Sequence, residues 1–325
     1  MTHIHATSIE MLTKAVPTIC LITALALIPS HKAIADDKND EVDTNPSVVL
    51  DVVRLKKSDV TESSGLAISN VRVNRWWTHN DSGDKSRLYA VNEKGKQTGR
   101  CKLEDVTSDD WEDMASFVQN DQPRLIVADS GDNLAKRESI TLYVFDEPDP
   151  NDSVELKKVQ HIQVSFPDRA HDCEAIAVDP TRGKIVLVTK EKLPHALVYE
   201  VDLPDRETRP IDKPIQAIAT RVTSLTLPMI SAMDIDAVNG DVWIVNYFQA
   251  FYFKRAGANQ SLAEQLAALP QSYPLPHWKQ IEAVAVDREH QVWITSEGKS
   301  PPLGRLNVGQ LRAQSTTADP SKDRD

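Results

Sequence analysis

The stretch CEAIAVD at residues 173–179 returns almost unchanged as IEAVAVD at 281–287. Both are runs of small apolar residues, of the length and composition typical of a short buried strand. Related stretches stand at three other places, SSGLAIS (63–69), WEDMASF (111–117) and SAMDIDA (231–237). Five copies of one pattern indicate an internal repeat, and this repeat decides the fold.

Each copy is followed by a second β-rich run and then by a third, such as RLIVADS and TLYVFD after the copy at 111–117. Aligning the copies gives one anchor position per repeat, with successive spacings of 48, 62, 58 and 50 residues. A unit of roughly 50 residues with three or four strands is typical of a propeller blade. The aligned anchors are Ser64, Glu112, Glu174, Ala232 and Glu282.

The sequence therefore predicts an all-β chain with a single β-propeller of five blades over residues 47–313. A six-bladed ring remains open if a degenerate repeat lies within one of the longer spacings. The run SVVLDVVRL (47–55) has no repeat of its own. We expect it to close the last blade as an outer strand, which leaves the ring without a free edge. The amphipathic stretch SLAEQLAAL (261–269) predicts one helix before the fifth blade.

The two ends differ from this body. Residues 1–35 combine Lys14, an uncharged run at 15–29 and a small-residue cleavage pattern ending at Ala35, which together indicate a signal peptide. The uncharged run is shorter than the roughly 20 residues of a spanning helix, so no stable membrane insertion is expected. We predict a secreted or periplasmic protein with a flexible linker at 36–46 and a disordered tail at 314–325.

The formal net charge of −11, with no cluster of Lys and Arg, argues against a nucleic-acid partner and favours a cation. Cleavage near Ala35 would leave two cysteines, Cys101 and Cys173. An oxidising compartment permits a disulfide between them, and two buried free thiols are the alternative.

The first hairpin of each blade brings its two ends to one face. Because successive strands of a blade run in opposite directions, the start of the first strand lies beside the end of the second. Glu112 and Asp129 are 17 positions apart, as are Ser64 and Asp81. The anchors and the second-strand ends of all blades should therefore surround one mouth of the central tunnel.

Three anchors at this mouth are glutamates, Glu112, Glu174 and Glu282. Carboxylates that converge on one axis repel unless their pKa values rise or a cation binds. Oxygen ligands without a thiolate or imidazole pattern suit Ca²⁺ or Mg²⁺. The alternative is that these glutamates cap strands or pair with a neighbouring blade.

Candidate catalytic groups lie beside these anchors. A cation would polarise a scissile group of a small anionic ester while an acid positions water, and a lysine would meet the anion. The sequence contains no G-x-S-x-G, P-loop or H-E-x-x-H motif. A metal-dependent hydrolase and a noncatalytic binding or scaffold module therefore both remain open. The candidates are Asp81, Asp129, His171, Asp172 and Lys190.

The anchor series Ser, Glu, Glu, small residue, Glu resembles that of the calcium-activated nucleotidases, or apyrases. These are five-bladed propellers, and the resemblance implies a central Ca²⁺ held by Ser64 together with the three glutamates. Apyrases carry an arginine near the end of the second strand of the first blade. This arginine has no counterpart in Asn80-Asp81-Ser82-Gly83-Asp84.

A second resemblance covers most of the body. The stretches THNDSGD, DWEDMA, ADSGDN, HDCEA and LVTKEK are similar to those of exported bacterial β-propellers without an assigned activity, akin to phytase-like and SdiA-regulated propellers. This resemblance implies export and the propeller fold but no particular activity.

Overall fold

The computed structural model describes residues 42–56, 59–81, 84–191, 195–205, 211 and 213–317. The predicted signal peptide, most of the linker and residues 318–325 lie outside this range. Domain boundaries there stay predictions.

The described residues form five β-sheets, each one blade, with strands numbered here in chain order. From the centre outward, blade one contains β2 (Ser63–Ile68), β3 (Arg75–Asn80), β4 (Arg87–Asn92), β5 (Gln97–Leu103) and β9 (Ser153–Leu156). Blade two contains β6 (Trp111–Gln119), β7 (Gln122–Asp129), β8 (Ile140–Asp146), β10 (Gln160–Ser165) and β14 (Ile215–Ile218).

The other three blades have four strands each. Blade three contains β11 (Cys173–Asp179), β12 (Lys184–Thr189), β13 (Ala196–Asp202) and β15 (Thr220–Leu225). Blade four contains β16 (Ile230–Ile235), β17 (Val242–Asn246), β18 (Gln249–Phe253) and β19 (Gln271–Pro274). Blade five contains β20 (Ile281–Val286), β21 (Val292–Ser296), β22 (Pro302–Leu306) and β1 (Val49–Arg54).

The five repeated stretches are the five innermost strands, as predicted. Each innermost strand contacts those of both neighbouring blades, and β2 of blade one contacts β20 of blade five, so the ring is closed. Five buried apolar clusters fill the spaces between neighbouring blades. Small side chains such as Ala175 and Ala283 suit the narrow inner end of these spaces, where the strands approach most closely.

The prediction that the N-terminal run closes the ring is confirmed. β1 pairs antiparallel with β22, with Val49 opposite Leu306. Val49 is buried in the cluster between blades four and five. Before β1, the Asp43 carbonyl accepts a hydrogen bond from Trp278 Nε1 at 2.8 Å, which ties residue 43 to the same region.

Two outer strands were not expected from the repeat. β9 leaves the β8–β10 connection of blade two and pairs parallel with β5 of blade one. β14 leaves the β13–β15 connection of blade three and pairs parallel with β10 of blade two. Each of these blades thus has its outer edge covered by a strand from the following blade.

The described residues contain two helices. The predicted helix is the short α1 (Leu262–Leu266), which begins at a capping box formed by Ser261 and Glu264 and lies between β18 and β19. α2 (Val308–Thr317) follows β22.

Cys101 and Cys173 are both buried and free. The structure therefore has two buried thiols at these positions and not a disulfide.

The closing strand gives a first test. Replacing Val49 by Asp places a carboxylate in an apolar cluster without a partner, and we expect the free energy of unfolding to fall by at least about 3 kcal/mol. Urea unfolding of wild type and variant measures this loss. The control is Val73→Asp, because Val73 is 85% exposed. Equal unfolding midpoints for Val49→Asp and Val73→Asp would contradict the assigned role of β1.

Candidate metal centre

A β-bulge lies at the head of every innermost strand. In blade two, Trp111 pairs with Asp129 and Asp113 pairs with Ala128, so Glu112 is an extra residue between two paired ones. A bulge turns the side chain of the extra residue away from its normal direction and increases the local twist. The extra residues of the five blades are Ser64, Glu112, Glu174, Ser231 and Glu282.

Blade four corrects the sequence alignment by one residue. Ile230 pairs with Asn246 and Ala232 pairs with Val245, so the bulged residue is Ser231 and not Ala232. The Ser231 hydroxyl donates to the Ile281 carbonyl of blade five at 2.9 Å. Ser64 does the same between blades one and two, donating to the Glu112 carbonyl at 2.9 Å.

The ends of the first two strands meet at one face, as predicted. The amide of the residue after the second strand donates to the carbonyl of the residue two positions before the bulge. These bonds are Asp81 to Glu62 (3.1 Å), Ser130 to Asp110 (3.0 Å), Lys190 to Asp172 (2.8 Å) and Glu297 to Gln280 (3.1 Å). In these four blades, the bulged residue, the residue two positions before it and the residue after the second strand therefore lie together at the tunnel mouth.

Five carboxylates from three blades come together there. Asp81, Asp110 and Glu112 form one triad, and Glu112, Asp172 and Glu174 form a second. Within each triad, one carboxylate oxygen of every residue lies within 4.8 Å of the others. Because Glu112 belongs to both triads, it is the centre of the cluster.

The Glu112 carboxylate is buried at the centre of this acidic cluster. The residue is 9% exposed, and in the described chain its carboxylate has no hydrogen-bond donor or basic partner. Burial raises its pKa well above the ordinary value, and the charges of Glu174 and Asp110 raise it further. An added Cβ on Gly131 would lie 2.2 Å from Glu112 Oε1, so a larger residue there would displace this carboxylate.

The pKa values of two neighbouring acids, Glu174 and Asp110, are raised as well. Burial raises the pKa of Glu174 to about 7, although Lys190 Nζ lies 3.0 Å from its Oε2 and opposes the shift. Burial and the nearby charge of Asp81 raise the pKa of Asp110. The Asp172 carboxylate accepts a hydrogen bond from the Asp132 amide at 2.7 Å, which fixes its orientation.

The fourth predicted ligand, Glu282, is not a member of either triad. Burial and the adjacent Glu297 carboxylate together raise its pKa to about 8. Gln280 Nε2 donates to Glu282 Oε1 at 3.2 Å. Glu282 therefore forms a separate acidic pair in blade five.

Two of the predicted catalytic residues are held in other networks. Asp129 is buried and accepts hydrogen bonds from the Asp109 and Asp110 amides at 3.2 Å and from Arg137 at 2.8 Å. It therefore positions the loop that carries Asp110.

The other residue, His171, is buried and has both ring nitrogens bonded. Its Nδ1 contacts Glu191 at 2.7 Å, and its Nε2 contacts Asp168 and the Tyr199 hydroxyl, both at 3.0 Å. Asp81, Asp172 and Lys190 are the predicted catalytic residues that lie at the triads.

Sequence reasoning missed two residues of the mouth. Asp110 stands two positions before Glu112, as Asp172 stands before Glu174, and this shared offset is the signal that could have identified it. Tyr247 follows β17 as Asp81 follows β3 and Lys190 follows β12. Its aromatic ring lies 5.9 Å from Lys190 Nζ.

A further buried aspartate adjoins the site. Asp113 is fully buried and accepts hydrogen bonds from the amides of Met114 (2.8 Å), Ile176 (2.9 Å) and Met233 (3.4 Å). These amides belong to the innermost strands of blades two, three and four. Burial raises the Asp113 pKa well above its ordinary value. Its carboxyl group links the two blades that carry Glu112 and Glu174 to blade four.

Fold and site together define a five-bladed β-propeller with an acidic tunnel mouth. The sequence matches no family model, and no curated protein matches it. Similar solved structures include a gluconolactonase from Xanthomonas campestris, with 10% identity and a TM-score of 0.46 over 78% of this chain and 89% of that one. A glucose dehydrogenase has 10% identity and a TM-score of 0.47 over 79% and 99% of the two chains.

A luciferin-regenerating enzyme has 9% identity and a TM-score of 0.41 over 76% of this chain and 73% of that one. Likenesses at this level do not bear on the chemistry of the mouth. Within the described residues, no helix combines the length and hydropathy that a bilayer-spanning segment requires.

The raised pKa of Glu174 predicts a pH dependence of stability in metal-free protein. Between pH 4.5 and about 7 the folded chain retains a proton that the unfolded chain has released, so the free energy of unfolding falls as pH rises. In Glu174→Gln the side chain is an amide, which does not ionise between these pH values. The variant's stability relative to wild type should rise by on the order of 2 kcal/mol across this range.

Urea unfolding with a chelator at several pH values measures the difference. The same change at the exposed Glu289 serves as the control, and it should give a difference that does not vary with pH. A flat profile for Glu174→Gln would show that Glu174 ionises normally in the folded protein.

Proposed function

We propose that this propeller binds a divalent cation at its tunnel mouth through Glu112, aided by Asp81, Asp110, Asp172 and Glu174. The observation that carries the proposal is the Glu112 carboxylate, which is shared by both triads, almost fully buried and, among the described residues, without a hydrogen-bond donor. A bound cation would offset both the burial of the Glu112 charge and its repulsion by Glu174 and Asp110, which together raise the pKa of Glu112.

The ligand set favours Ca²⁺ or Mg²⁺. Both triads consist of carboxylates alone, which are hard oxygen ligands. The resemblance of the bulged residues to the calcium site of apyrases supports Ca²⁺, with Ser64 as an additional oxygen ligand. Glu282 lies outside both triads, although the charge of Asp81 contributes to its raised pKa.

The activity that this site supports best is hydrolysis of a small anionic ester. When bound, a divalent cation polarises the scissile group and lowers the pKa of a bound water. Lys190 would neutralise charge on the ester, since its ammonium group stands beside the triads. Asp81 or Asp172, if not itself bound to the ion, would orient the attacking water and accept its proton.

The alternative is a noncatalytic exported module with a structural ion. It is supported by the origin of the ligands, because the two triads draw on blades one, two and three and a cation would fasten these blades together. The signal-like residues 1–35 support export for either function.

Calcium binding is the direct test. Titration calorimetry of chelator-treated protein should show binding of Ca²⁺ or Mg²⁺, with a rise in melting temperature that grows with ion concentration. Glu112→Gln keeps the shape of the side chain and removes its charge, so affinity should fall at least tenfold, or about 1.4 kcal/mol. Glu289→Gln should bind like wild type. Absence of heat and of a melting shift with both ions would refute the metal site.

A screen with phosphate and carboxylate esters separates enzyme from scaffold. If the protein is a hydrolase, turnover should disappear with a chelator, return with the divalent ion and fall at least about 100-fold in Glu174→Gln. If the ion is only structural, Glu174→Gln should lower the ion-dependent melting shift, and no ester should be turned over. Turnover that persists unchanged in chelator would contradict metal-dependent hydrolysis.

A further inference from the structure

Four blades line the tunnel mouth with acidic side chains, whereas blade four lines it with apolar and aromatic ones. Blades one, two and three supply the acidic triads, and blade five supplies Glu282 and Glu297. Blade four supplies no carboxylate at the corresponding positions. Its bulged residue is Ser231, the residue two positions earlier is Met229, and the residue after the second strand is Tyr247.

The blade-four sector, defined as Met229, Tyr247 and Phe248, is apolar and partly open to solvent. Tyr247 and Met229 are half-buried, whereas Phe248 is 64% exposed. The Tyr247 and Phe248 rings meet edge to face, with centroids 6.3 Å apart. The exposed Phe248 ring extends the half-buried Tyr247 ring, so the two rings form one aromatic surface.

Hydrogen bonds fix the turn that carries Phe248. The Asn246 side chain accepts hydrogen bonds from the amides of Phe248 (2.9 Å) and Gln249 (2.8 Å), and it donates to the Pro228 carbonyl at 3.2 Å. The Phe248 carbonyl accepts a bond from the Leu275 amide at 2.9 Å. Phe248 thus presents its ring from a fixed turn, which limits the entropy lost when a ligand packs on it.

Lys190 connects this sector to the acids. Its ammonium nitrogen lies 3.0 Å from Glu174 Oε2 and 5.9 Å from the centre of the Tyr247 ring. A molecule bound at the proposed cation would therefore contact positive charge at one end and lie beside the aromatic ring of Tyr247. With the proposed cation bound, the ion and Lys190 would contact an anionic head, and the blade-four sector suits a flat apolar body.

We infer that the ligand of this mouth is an amphipathic anion, with a phosphoryl or carboxylate head and an aromatic body that packs on Tyr247 and Phe248. The inference rests on the proposed cation site, which would hold the anionic head. It assigns Phe248 as a specificity-determining residue for the body of the ligand.

Phenylphosphonate and methylphosphonate test the inference, because they share a head group that is not hydrolysed and differ in the body. Their affinities for Ca²⁺-saturated protein are measured by calorimetry. An aromatic contact should make phenylphosphonate bind roughly two- to tenfold more tightly. Phe248→Ala should remove most of that preference without changing the affinity for methylphosphonate or Ca²⁺.

Leu269→Ala is the matched control, since Leu269 is 98% exposed and follows α1 rather than lining the mouth. It should leave the preference intact. Equal affinities for the two phosphonates, no binding of phenylphosphonate, or a preference that survives in Phe248→Ala would each overturn the inference while Ca²⁺ binding stands. A failure of Ca²⁺ itself to bind would instead refute the proposed function.

Discussion

The acidic mouth depends on one extra residue at the head of every innermost strand. A regular strand would alternate its side chains between the two neighbouring blades, where the spaces are filled by apolar clusters. The bulge interrupts this alternation at one position per blade, so that Glu112 and Glu174 are brought together rather than separated into the cores on either side. Ser64 and Ser231 use the same position differently, because their short side chains bond to the next blade and hold the ring together.

This arrangement concentrates negative charge where burial makes it costly. Glu112 and Glu174 could relieve the cost by retaining protons, and their raised pKa values express that tendency. A divalent cation would remove the same cost at neutral pH and would also compete with those protons, so ion affinity and pH are linked at this mouth. Asp113 is buried in a different environment, because three backbone amides donate to it, yet burial still raises its pKa.

Much of the fold could be predicted from sequence because small residues at a fixed place in each repeat mark the innermost strands, and because β1 lacked a repeat of its own. The one-residue error in blade four arose because Ser231 and Ala232 are both small, so composition did not distinguish them. β9 and β14 were missed because they are short and are stabilised by strands from another blade. The environment of Glu282 depends on Glu297, whose proximity only the folded hairpin determines.

The exchange of β9 and β14 between blades affects the order in which the ring can assemble. Blade one is not complete until the chain has reached residue 156, and blade two waits until residue 218. β1 is synthesised first, whereas its partner β22 is synthesised only after nearly all of the other strands. Because synthesis runs from the N-terminus, β1 would therefore remain unpaired and exposed until β22 has been made. Such a chain would favour late, concerted folding over blade-by-blade completion.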